Sequence, residues 1–148
     1  MAMKISFVKG NGKYDRMVVY RGDLSESVDC PKQGIIPHDM VHYAVESTLH
    51  RRGFLGRVRD GEAIARMGAE TESDGVERLV EVIQGDAWSG AAGSPADLLD
   101  LYRLTCRARA CPPLPLACGD ILAIRDRIGE LDLQWRALPA GAALELEL

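Results

Sequence analysis

The sequence predicts an α+β domain in which a small antiparallel sheet, built from an N-terminal hairpin and a C-terminal strand, packs against about four helices. Three observations support this prediction. Short β-branched and aromatic segments lie near the N-terminus, an alternating leucine segment closes the chain, and apolar residues recur at helical spacing between them. At 148 residues the chain has the usual size of one domain, so we expect a single domain over residues 1–148.

The sheet is predicted from both ends of the chain. Residues 4–9 (KISFVK) and 16–21 (RMVVYR) have strand composition, and the glycine-rich segment 10–15 between them favours a hairpin. At the C-terminus, residues 144–148 (LELEL) alternate strictly, which is typical of a half-buried strand. We expect its leucines to face the core and the strand to pair with the hairpin.

The first helix is predicted from about Pro37 to Arg51, after a polar loop that runs through Cys30 and Pro31. The following segment, residues 53–58 (GFLGRV), is interrupted by glycines and is predicted to be a loop or a short irregular element.

Three further helices complete the prediction. Residues 76–87 carry an apolar stripe at spacing i, i+3, i+4, i+7, i+11, with Glu77 and Glu81 on the opposite face. Ser94 and Pro95 have the composition of an N-cap and a first helical position, and they open a third helix. A fourth stripe runs from Ile121 to Trp135.

Composition places the chain in the ordinary globular class, with 47% hydrophobic and 27% charged residues. It has no apolar run long enough for a membrane helix and no secretion signal at its start, so we expect a cytoplasmic protein with no membrane partner. The net charge of −4 does not favour nucleic acid as a partner.

Charge is unevenly distributed along the chain. Residues 68–102 contain eight acids and one base, whereas residues 1–67 contain eleven bases, including the strip Arg51, Arg52, Arg57 and Arg59. We expect these opposite charges to meet across the fold.

The four cysteines, Cys30, Cys106, Cys111 and Cys118, form no CxxC pair and are expected to be thiols. Buried hydrophobic positions are their expected place, although a cluster of the last three with a histidine is a second reading.

The one segment with recognisable chemistry is His38-Asp39-Met40-Val41-His42. His38, His42 and Glu46 are spaced i, i+4, i+8 and therefore share one side of the first helix. Two imidazoles and a carboxylate could supply three zinc ligands, and Asp39 occupies the position of the general base in the HExxH motif of zinc proteases. The alternative is structural: Asp39 stabilises the helix N-terminus, and the histidines and Glu46 are satisfied at the core rim.

Other catalytic patterns are absent from the sequence, which contains no Walker A loop, no GxSxG element and no GxGxxG after a strand.

The segments 34–46 (GIIPHDMVHYAVE) and 52–58 (RGFLGRV), together with Trp135-Arg136-Ala137-Leu138-Pro139 before the final strand, carry a resemblance. They resemble a group of small bacterial proteins of uncharacterised activity that share a PHDxVHxxVE segment followed by a GFxG element. The resemblance implies a bacterial origin and a shared scaffold.

Two functions follow as hypotheses. The first is a small intracellular bacterial binding or accessory protein without catalysis of its own, which needs no cofactor. It would bind a protein or small-molecule partner, and it could form a homo-oligomer through a sheet edge or a helix face. The second is a divalent-metal protein or zinc-type hydrolase with His38, His42 and Glu46 as ligands and Asp39 as the base.

Overall fold

The computed structural model describes residues 2–148, and that range contains five α-helices, one short 3-10 helix and four β-strands. The strands are β1 (Lys4–Val8), β2 (Tyr14–Arg21), β3 (Leu24–Pro31) and β4 (Ala143–Glu147). The helices are α1 (His38–Leu49), α2 (Phe54–Arg59), α3 (Thr71–Trp88), α4 (Pro95–Ala108) and α5 (Cys118–Ala137), with the 3-10 helix at Ile64–Arg66. The predicted α+β class is confirmed.

The strands form one antiparallel sheet in the order β3-β2-β1-β4. In β4, Leu144 lies opposite Phe7 and Leu146 lies opposite Ile5. Because Ile5 and Phe7 are completely buried, the β4 leucines share the face of the sheet that the core covers, where they are partly buried. The predicted pairing of the C-terminal strand with the N-terminal hairpin is confirmed.

The prediction of a polar loop through Cys30 and Pro31 is wrong, because both residues belong to strand β3, which pairs with β2 along its whole length. Strand β3 forms one edge of the sheet. Its outward positions carry Ser25, Ser27 and Asp29, a composition that protects an edge from pairing with other chains and hides the strand from sequence patterns.

The glycine-containing segment after α1 also differs from the prediction of a loop or irregular element. Residues 54–59 form helix α2, whose N-cap residue is Gly53 and therefore offers no side chain to cap the helix. A carboxylate from α1 satisfies its first N–H groups instead, as described below.

The remaining helices occupy the predicted segments. Helix α1 contacts both α3 and α5, and α4 contacts those same two helices. The Ser94 side chain accepts a hydrogen bond from the Asp97 N–H at 3.1 Å, and Pro95 is the first residue of α4, which confirms that helix start. The core joins the sheet to the helices through fully buried residues such as Met17, Val41 and Ile124.

Within residues 2–148, no helix combines the length and the apolar character needed to cross a bilayer.

Candidate metal centre

His38 and His42 lie one turn apart on α1 and face α3, with their ring centroids 5.0 Å apart. Their exposure differs sharply. The side chain of His42 is 2% exposed, whereas that of His38 is 38% exposed and borders solvent. The two histidines therefore extend from the interior of the domain to its surface.

The carboxylate that meets both histidines belongs to Glu77, on α3. Its Oε2 lies 2.7 Å from His42 Nε2, and its Oε1 lies 3.6 Å from His38 Nε2. The three ligand-type atoms lie within 4.8 Å of one another. Among the residues that the structure describes, His38, His42 and Glu77 form the one group of three or more His, Cys, Asp or Glu residues able to hold a metal ion.

The opposite ring nitrogens of the two histidines also have partners. His42 Nδ1 lies 3.2 Å from Glu46 Oε2, and His38 Nδ1 lies 2.9 Å from Gln84 Oε1. The Gln84 oxygen is fixed further by a hydrogen bond from Gln33 Nε2 at 3.1 Å. An acceptor holds the Nδ1 side of each ring, and the Nε2 atom on the other side of each ring faces Glu77.

The pKa values follow from these contacts. Burial alone would lower the pKa of His42, but hydrogen bonds to Glu46 and Glu77 outweigh it and raise the pKa to about 9. The hydrogen bond to Glu77 likewise raises the pKa of His38. Burial works to raise the pKa of Glu77, yet the two histidines hold it well below its ordinary value. A cation at Nε2 of His42 would therefore have to displace a proton at neutral pH.

Glu46, the predicted third ligand, is turned away from the Nε2 atoms. Its side chain is fully buried, and its oxygens accept hydrogen bonds from the backbone N–H groups of Gly53 and Gly56 at 2.8 Å and of Leu55 at 3.1 Å. Glu46 thus caps helix α2 from a neighbouring helix and orients His42 through Nδ1.

The fit around Glu46 requires glycine at position 53. A Cβ atom there would lie 2.5 Å from Val76 Cγ1 and 2.8 Å from Glu46 Cδ. Gly53, which appeared to interrupt the segment, therefore allows α2 to approach the Glu46 carboxylate closely.

Asp39, the predicted base, lies in the first turn of α1 and contacts β3. Its Oδ2 accepts a hydrogen bond from Cys30 Sγ at 3.8 Å. Burial raises the pKa of Asp39 against the opposing effect of the two histidines, and it raises the pKa of the Cys30 thiol to about 12. Asp39 is not a member of the His38, His42 and Glu77 group.

The arginine strip meets only the first acids of the segment 68–102, because Arg52 and Arg57 pair with Glu70 and Arg51 pairs with Glu72. The other partners of Arg52 and Arg57 are Asp60 and Glu62, which belong to residues 1–67. These ion pairs join α2 to the segment that leads into α3.

Sequence patterns assigned Glu77 to the polar face of its helix, and no spacing in the sequence links it to His42, which lies 35 residues earlier. Glu77 adjoins the buried stripe residue Val76, so it borders the α1 contact with a side chain that is 32% exposed. Only the packing of α1 on α3 identifies it as a site residue.

Comparisons of this chain with protein-family models, with curated proteins and with solved structures give no match.

Proposed function

We propose that this protein binds a divalent metal ion of the zinc class through His38, His42 and Glu77. The observation that carries the proposal is the orientation of the two imidazoles. An acceptor meets each Nδ1, and both Nε2 atoms point at one carboxylate. Histidines that bind metals commonly donate their second N–H to a carboxylate or a carbonyl, which fixes the tautomer and the ring.

The donor set and its spacing agree with this assignment. Two histidines and one glutamate are an established set of protein ligands for zinc. The distances of 2.7 and 3.6 Å from the carboxylate to the two Nε2 atoms lie on either side of the roughly 3.3 Å between neighbouring ligand atoms in a zinc tetrahedron. A bound cation would replace the proton on His42 Nε2 and leave the Nδ1 contact with Glu46 intact.

The surroundings of the site favour binding over hydrolysis. His38 and Glu77 are each about one-third exposed, so a cation could enter from solvent and keep an open position. Asp39 is engaged by Cys30, so it is not placed as a base toward the Nε2 side of the site. We therefore propose a small accessory protein that holds a metal without catalysis of its own.

Metal content and stability test this proposal. We expect protein purified without chelator or nickel resin to bind one zinc ion per chain, and added zinc to stabilise it by about 2.7 kcal/mol at a hundredfold excess over Kd. A His38→Ala, His42→Ala double variant should lose the shift. Equal zinc shifts in parent and double variant would overturn the proposal.

A matched pair of α3 variants locates the third ligand. Glu77→Gln keeps the size of the side chain but removes the charged ligand, so the zinc shift should fall sharply. Glu81→Gln lies one turn further on the same helix, where Glu81 pairs with Arg78, and should retain the shift. If Glu77→Gln kept the zinc shift and a folded Glu46→Gln protein lost it, the third ligand would be Glu46 instead.

A further inference from the structure

A groove that contains none of the proposed metal ligands runs along one face of α5. Residues Arg125, Ile128, Gly129 and Asp132 line one hollow on this face, and Asp132, Trp135 and Arg136 line the next. Their spacing of three or four residues places them on a single stripe of the helix. Ile35 and Asp132 are walls of both hollows, so the two hollows adjoin.

The first hollow has a volume of about 280 Å³ and is mainly apolar. Ile35, Ile36, Ile83 and Ile128 contribute branched aliphatic side chains, and Ile36 and Ile83 are buried. The charges in its wall are paired, because Arg125 Nη2 lies 2.8 Å from Asp86 Oδ2 and Asp132 Oδ2 lies 2.9 Å from Arg136 Nη2. This half suits a hydrocarbon group.

The second hollow, of about 190 Å³, has three basic and two acidic residues in its lining. Lys32 pairs with Asp15 at 2.8 Å, and Arg136 pairs with Asp132 at 2.9 Å. Lys9 differs from both: its Nζ donates to the Trp135 carbonyl at 2.9 Å, and among residues 2–148 no carboxylate lies within ion-pair distance of it. Lys9 Nζ also lies 5.5 Å from the centroid of the Trp135 ring, so the groove ends at a lysine that is held by Trp135 but has no carboxylate partner.

We propose that this groove is a binding site for a small amphipathic carboxylate, with its hydrocarbon part among the isoleucines and its carboxylate beside Lys9. Together the two hollows reach the size of small-molecule sites, roughly 300–1,000 Å³. The apolar end and the charged end require both properties in one ligand. Neither hollow is lined by His38, His42 or Glu77, so the assignment uses none of the proposed metal ligands.

Decanoate is the probe for this site, measured by isothermal titration calorimetry and by displacement of the fluorescent anion anilinonaphthalene sulfonate. A Cβ atom at Gly129 would meet nothing within 4 Å, so Gly129→Phe can fill the apolar hollow without a backbone clash. Gly119 is equally open in the same helix but does not line the groove, which makes Gly119→Phe the matched control. We expect saturable binding in the parent and in Gly119→Phe, and its loss in Gly129→Phe.

The charged end is tested with Lys9→Gln. This variant should weaken decanoate binding by about tenfold, the equivalent of one charge-assisted hydrogen bond, and should leave binding of neutral decanol unchanged. Absence of decanoate binding in the parent, or equal binding in Gly129→Phe and Gly119→Phe, would overturn the proposal. So would concentration-dependent dimerisation that Gly129→Phe abolishes, because a second copy would then occupy the groove.

Discussion

Glu46 and Glu77 contact the same imidazole from opposite sides, yet their surroundings give them different roles. Glu46 is fully buried and accepts hydrogen bonds from three backbone N–H groups of the α2 segment as well as contacting His42 Nδ1. Glu77 is 32% exposed, and among the described residues its only ion-pair partners are His38 and His42. The fold already uses the first carboxylate, whereas the second remains accessible to a cation. The comparison teaches that the partners of a charge decide its role.

The largest expected effect is the loss of the buried carboxylate. Glu46→Gln places an amide NH₂ where N–H donors need an acceptor, and it leaves His42 without its inner charge. We expect the free energy of unfolding in urea to fall by about 3–5 kcal/mol, as for removal of one partner of a buried charged pair. Glu77→Gln, measured without metal, should cost less because that carboxylate is partly solvated. A larger loss for Glu77→Gln would reverse the comparison.

The next effect is a dependence of stability on pH. In metal-free protein the pKa of His42 is raised from 6.5 to about 9. Because the folded pKa lies above the unfolded value, the stabilisation is complete below pH ~6.5 and is lost as pH rises toward about 9. Unfolding measured in EDTA should show a decline of a few kcal/mol across this window.

The Glu77→Gln variant sharpens the pH experiment. It removes one of the two carboxylates that hold the proton on His42, so the decline should be shallower than in the parent. Glu81→Gln should follow the parent curve. Parallel curves for all three proteins would mean that Glu77 does not stabilise the protonated imidazole.

A smaller effect is expected where α2 approaches Glu46. Gly53→Ala adds a Cβ atom 2.5 Å from Val76 Cγ1 and 2.8 Å from Glu46 Cδ, so the packing must shift. We expect a cost of about 1–3 kcal/mol by chemical denaturation. Gly129→Ala is the control, since its Cβ atom meets nothing and alanine should stabilise the helix by about 0.5–1 kcal/mol. Equal effects would show that the approach at Gly53 is loose.

The smallest loss of stability is expected at helix α4, which is capped by Ser94 from its own segment. Ser94 accepts one hydrogen bond, from the Asp97 N–H, at an exposed helix start. Ser94→Ala should therefore cost about 1 kcal/mol, well below the cost of Glu46→Gln, while Ser89→Ala should cost little. Thermal melts of the two serine variants provide the measurement. A loss at Ser94 equal to that at Glu46 would remove the distinction between local and distant caps.

Sequence patterns predicted the elements whose signals are local. The apolar stripes of α3 and α5, the Ser94 and Pro95 helix start and the alternating leucines of β4 correspond to observed elements. Strand β3 was missed because serines and acids occupy its outward positions at a sheet edge. Helix α2 was missed because six residues with a central glycine carry a weak helical signal.

The candidate site divides in the same way. The i, i+4 spacing of His38 and His42 follows from helix geometry, so the sequence by itself placed both imidazoles on one side of α1. The choice between Glu46 and Glu77 required the tertiary structure. Glu46 shares the helix with the histidines but is drawn inward by the N–H groups of α2, whereas Glu77 reaches their Nε2 atoms from α3. Periodicity describes neighbours within one helix, and the partner that completes the site comes from the packing of another.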